Sequence, residues 1–151
     1  MQTKLIRWLL VIWASPNTLI GLTFGVLALL TGGKIQTERG CVEVYGGLVQ
    51  WLLQRMLGGR GAAAMTLGHS ILGQTRRTLQ IARDHEHVHV RQYERWGPFF
   101  LPAYLGWSAV LWLRGKNAYL DNPFEIEAYD ISNPMYSVED FEESKDDIDN
   151  Q

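Results

Sequence analysis

The segment TRRTLQIARDHEHVHVRQYERW, residues 75–96, decides how this chain is read. It reads as a helix ended by Gly97 and Pro98, because glycine suits a helix C-terminus and proline cannot continue one. Inside it stand His85, Glu86, His87, Val88 and His89. Residues four apart on a helix differ by about 40° in direction and lie one turn above each other. His85 and His89 therefore point to one side and can set two imidazole nitrogens on one ion. Glu86 stands about 100° around from His85. That offset turns its carboxylate toward a water on the metal rather than the metal itself, which is the place of a general base. Zinc takes neutral imidazole readily and hydrolyses an amide without redox chemistry, so Zn2+ is the expected cofactor.

Catalytic zinc has three protein ligands and one open position. A metzincin would place glycine three residues and histidine six residues after the second ligand. Gln92 and Arg95 stand there instead, which excludes that class. The carboxylates left as third ligand are Glu94, Asp121, Glu125, Glu127 and Asp130. Glu94 lies five residues past His89 and turns away from the ligand face. The better source is NPFEIEAYD, residues 122–130. There Asn122-Pro123 forms a turn and Phe124 to Ile131 a short helix.

These residues carry a resemblance. His85-Glu86-x-x-His89, followed by a helix with Glu-x-x-Ala, resembles the gluzincin metallopeptidases, and among them the membrane-embedded HtpX and prenyl-protease branch most closely. In that branch a downstream Glu-x-x-Ala-Asp supplies the third ligand. The resemblance implies Glu125 as that ligand, with Ala128 matching the alanine. The aspartate that should follow is replaced by Tyr129, with Asp130 one place later, which leaves Glu127 as an alternative ligand. The chain also resembles short bacterial membrane proteins over about residues 32–130. The resemblance implies a zinc metalloendopeptidase that hydrolyses peptide bonds of a peptide or protein substrate, with Glu86 as catalytic base. The alternative is a non-catalytic metal-binding or membrane scaffold.

Other residues near the motif have weaker roles. Tyr129 is a candidate hydrogen-bond donor to an oxyanion. His69 precedes the helix and is a candidate contact for a substrate carbonyl, although a structural role suits it better. His87 points to the far side of the helix from the two ligands. Tyr93 either lines the cleft or packs in the core.

The rest of the chain sets the frame. With 151 residues and 46% hydrophobic content it has material for one core. Cys41 is the only cysteine, so an intrachain disulfide and a four-cysteine zinc knuckle are both excluded. From Leu5 to Gly32 the only charged side chain is Arg7, and about 20 apolar residues suffice to cross a bilayer. This run is expected to be a membrane anchor, with a signal peptide and an apolar core helix as the alternatives, and with a stop or kink at Pro16. Lys4 and Arg7 before the apolar core and Lys34 and Arg39 after it leave its orientation open. The expected location is a membrane, the bacterial inner membrane by the resemblance. Membrane lipid is an expected partner and nucleic acid is not.

Lys34 to Tyr45 alternates and reads as a strand or a hairpin turning at Glu38–Gly40. Leu48 to Met56 reads as a short helix, and Ala63 to Leu72 as one strand. The apolar run Phe99 to Leu113 separates the histidines from Glu125, and a full crossing there would put the third ligand on the wrong side. At about 15 residues it is also short for a span. A buried helix or a membrane-surface hairpin is expected. Residues 137–151 hold seven acids against Lys145 and read as a solvated tail. The expected organisation is a membrane anchor over 1–33, a zincin-like catalytic domain over 34–132 and an acidic disordered tail over 133–151. The expected class is α+β, mostly helical, with a small antiparallel sheet.

Overall fold

A computed structural model describes residues 2–132, and the acidic tail expected over 133–151 lies outside the described residues. Its sheet is built from two tight turns. Arg39 and Gly40 both have positive φ (49° and 82°) and join β1 (Lys34–Glu38) to β2 (Cys41–Tyr45). Two positive-φ residues make the hairpin turn whose twist matches the strands. The stretch expected as one strand over 63–72 is a second hairpin, β3 (Ala64–Leu67) and β4 (Ser70–Gly73), closed by Gly68-His69. Gly68 takes φ 62° at the first loop position, where glycine meets no steric penalty. Between the hairpins runs α2 (Gly47–Arg55). This crossover lets β4 pair with β2 in parallel, giving the order β1-β2-β4-β3. The sheet is therefore mixed rather than antiparallel throughout, and the α+β class holds.

Helix α1 (Gln2–Leu30) runs through Pro16 without a stop. Proline removes the N–H that would bond the Ile12 carbonyl. Ser15 Oγ donates to that carbonyl at 2.6 Å, so the freed acceptor keeps a partner. Ala14, Gly21, Gly25 and Ala28 form one stripe of α1 that is buried against the sheet. A Cβ added at Gly21 would stand 2.6 Å from Ser70 Cβ, and one at Gly25 would stand 3.1 Å from Val44 Cγ2. Small residues here let the helix lie directly on the strands. Helix α1 thus shares a core with the rest of the described chain, through Ala14 and Ala28 packed with Val44, Leu67 and Leu72. The opposite face of α1 leaves Leu5, Trp8, Ile12, Leu19 and Leu30 exposed.

Helix α3 (Arg76–Trp96) begins at Thr75, whose hydroxyl accepts from the Thr78 amide while the Thr78 side chain accepts from the Thr75 amide. A two-pronged ion pair fastens it to the sheet. Arg83 Nε and Nη2 donate to Glu43 Oε1 and Oε2 at 2.8 and 2.9 Å. Burial alone would raise the Glu43 pKa, but the bonds from Arg83 and Gln36 bring it below its ordinary value.

Helix α4 (Phe100–Leu113) is not buried, since only Phe100 and Leu111 lie inside while Leu105, Trp107, Trp112 and Leu113 are exposed. It does turn the chain back. The buried Asn122 amide donates to the Tyr104 carbonyl and Ser108 Oγ, at 3.1 and 2.9 Å. Its Oδ1 accepts from the Phe124 amide, which starts α5 (Pro123–Ser132) beside α3.

Candidate metal centre

Where α3 and α5 meet, three donor groups converge. His85 Nε2 lies 3.1 Å from His89 Nε2 and 3.1 Å from Glu125 Oε2, and His89 Nε2 lies 3.4 Å from Glu125 Oε1. The pairing of the two rings follows from their spacing of one helical turn. Glu125 arrives because Asn122 fixes the start of α5. Ligands about 2.0–2.1 Å from a tetrahedral zinc stand roughly 3.3 Å apart. The two imidazole nitrogens stand at about that separation, each has a Glu125 oxygen at a similar distance, and one ligand atom from each residue lies within 4.8 Å of the others, so these residues could hold a divalent metal ion. Among the described residues this is the one group of His, Cys, Asp and Glu with metal-holding geometry.

The surroundings orient the donors. His89 Nδ1 faces Gln92 Oε1 at 2.8 Å. An amide oxygen only accepts, so Nδ1 carries a hydrogen, which leaves Nε2 as the nitrogen that a metal ion would take. The Gln92 amide nitrogen donates to the Phe124 carbonyl at 3.0 Å and to Glu127 Oε2 at 2.8 Å, which settles which way the side chain points. Such support fixes the tautomer of a metal-binding histidine. His85 is held differently, by the Tyr129 ring at a centroid distance of 4.5 Å. Tyr104 Oη donates to Glu125 Oε1 at 2.6 Å.

The electrostatics favour a cation. Burial opposes charge on His89, but its bond to Glu125 and the negative charges of Glu125 and Glu86 raise its pKa to about 9. Burial likewise opposes charge on Glu125, yet its bonds to His85 and His89 hold the carboxyl well below the usual range. Burial, together with the Glu125 charge, pushes the Tyr104 and Tyr119 phenols far up, so both remain neutral donors.

The remaining residues singled out in the sequence fall as follows. Glu86 is buried beside the cluster but outside it, and its Oε2 accepts from Thr66 Oγ1 on β3 at 2.7 Å. Glu127 is engaged by Gln92 and by Arg95, at 3.2 Å, and is not among the converging donors. Asp130 is exposed. Tyr129 Oη lies 3.4 Å from Tyr119 Oη. His69 sits in the β3–β4 turn, with Nε2 3.1 Å from Glu94 Oε1, away from the cluster. Asp121 accepts from the Asn117 amide. Tyr93 is fully buried against Phe100.

Sequence reasoning missed Thr66, Gln92 and Tyr104. Gln92 stands three residues after His89 on one helix, a spacing that brings side chains together, and that was a usable signal. Thr66 and Tyr104 reach the site only through the sheet and the α4 turn, which nothing local marks. Compared with protein-family models, with curated proteins and with solved structures, the chain matches none of them.

Proposed function

We propose that this chain is a membrane-associated zinc metallopeptidase of the gluzincin kind. The observation that carries the reading is the convergence of two imidazole nitrogens and one carboxylate at 3.1 to 3.4 Å, with a second buried carboxylate next to the first ligand. His85, His89 and Glu125 would hold the ion. Zinc, when bound, supplies a Lewis acid that makes water a strong nucleophile near neutral pH. The chain's own contribution is the rest. Thr66 holds one oxygen of Glu86, leaving the other to take the proton of the attacking water and return it to the leaving amine. Gln92 keeps the His89 proton on Nδ1. Strand β3, which carries Thr66, lies at the edge of the sheet, where its outer backbone groups have no strand partner among the described residues. An extended peptide adds to such an edge. That supports a peptide as substrate. The membrane reading is supported by Lys4–Leu30, of mean hydropathy 1.6 and 22% buried.

Burial of the donor set favours a second reading, a structural metal site in a membrane scaffold, because the His85, His89 and Glu125 side chains are only 14%, 9% and 4% exposed. Glu86→Gln separates the two. With a denatured protein as substrate, the peptidase reading expects unchanged zinc content and hydrolysis lowered about 10²–10⁴-fold. A scaffold would show no hydrolysis in either form.

A further inference from the structure

On the far side of α3 from the ligands lies a cleft of about 530 Å³. Arg7 of α1, Arg39 of the first hairpin, His69 of the second, and His87, Arg91 and Glu94 of α3 line it. Its acids are already engaged. Asp84 pairs with Arg39 at 2.6 Å, and Glu94 pairs with His69 at 3.1 Å. Arg7 and Arg91 have no ion-pair partner among the described residues. Both ring nitrogens of His87, and His69 Nδ1, are buried without a hydrogen-bond partner. A Cβ added at Gly40 would stand 2.5 Å from Arg7 Nη2, so glycine there leaves room for the guanidinium at the cleft wall. The cleft therefore has two spare guanidinium groups and, whichever tautomer His87 takes, a spare ring N–H, while its carboxylates are already paired. A buried donor without an acceptor costs stability that a bound anion would restore.

We propose that this cleft binds a phosphate-bearing anion, held by the Arg7 and Arg91 guanidinium groups and by a ring N–H of His87. Guanidinium forks match phosphate oxygens two at a time. Arg7 also lies among the exposed Leu5, Ile6, Trp8 and Leu9 of α1. An anionic lipid meets both features, its phosphate in the cleft and its acyl chains along the helix. The lipid source rests on the membrane reading of α1, whereas phosphate binding itself does not, and neither depends on the metal.

The test is calorimetric titration of the full-length, detergent-purified protein with three probes: dihexanoyl phosphatidylglycerol, dihexanoyl phosphatidylcholine and inorganic phosphate. The expected result is binding of the anionic lipid in preference to the zwitterionic one. Arg7→Gln with Arg91→Gln should weaken it about tenfold or more, given the worth of each basic residue near anionic lipid. Arg114→Gln with Lys116→Gln, the same charge removed elsewhere, should leave it unchanged, and His87→Leu should weaken it while keeping both arginines. Inorganic phosphate that binds as tightly as the lipid, with the same arginine dependence, identifies free phosphate as the ligand. If alkaline carbonate also releases the protein from membranes, the membrane reading fails while the phosphate site stands. Equal affinity for the anionic lipid and for phosphate in wild type and in the arginine double variant overturns the proposal.

Discussion

Helix α3 keeps its histidines in two different ways on its two sides. Toward α5, His85 and His89 turn ring nitrogens to each other and to Glu125, and the charges nearest them are carboxylates. Toward the cleft, His87 has both nitrogens unbonded, and burial together with Arg39 lowers its pKa. The rings are of one type and stand two residues apart. The difference comes from what other elements bring to each side, a carboxylate on α5 in one case and arginines from α1 and the first hairpin in the other. In the two proposals above, one side takes a cation and the other an anion. A count of histidines in the motif does not distinguish them.

The largest expected effect comes from removing the fastening that serves both sides. Glu43 is fully buried and holds Arg83 with two bonds. Glu43→Ala leaves the guanidinium unpaired and should cost about 3–5 kcal/mol, read from the denaturant midpoint. Both sides should weaken together, and loss at one side alone would break the comparison. The pair also sets a pH dependence. The Glu43 pKa is lower in the folded state than its ordinary 4.5, so the unfolded chain binds the proton more tightly. Its contribution is complete above about pH 4.5 and is lost as pH falls through the lower folded value. Wild type should therefore lose stability in acid more steeply than Glu43→Gln, measured by denaturation across that range.

Gln92 sharpens the comparison on the metal side alone. Gln92→Ala should lower zinc affinity about 10- to 100-fold by freeing the His89 tautomer, measured by competition with a chelator. Binding at the cleft should be unchanged. A smaller effect belongs to α1, which delivers Arg7 to the cleft. Ser15→Ala removes the partner of the Ile12 carbonyl beside Pro16 and should cost about 1 kcal/mol in thermal unfolding, with zinc content unaltered.

Much of the metal side was legible in the sequence because its geometry is local. His85 and His89 are one turn apart on one helix, and the end of that helix was marked by Gly97 with Pro98. The choice of Glu125 rested on resemblance, since spacing alone left Glu127 and Asp130 open. The cleft side was not legible. Arg7, Arg39 and Arg91 come from three elements whose meeting depends on the sheet, and the sheet was misread at Gly68-His69, where one strand became two. Pro16 misled for a similar reason. Its usual effect was offset by a hydrogen bond from the preceding side chain, a compensation that propensity does not record.

The most direct test of the account is zinc content per chain, measured by mass spectrometry of metals after dialysis, in wild type, His89→Ala and His87→Ala. The account predicts one zinc in wild type and in His87→Ala and none in His89→Ala. Equal zinc in the two variants, or none in wild type, would contradict it.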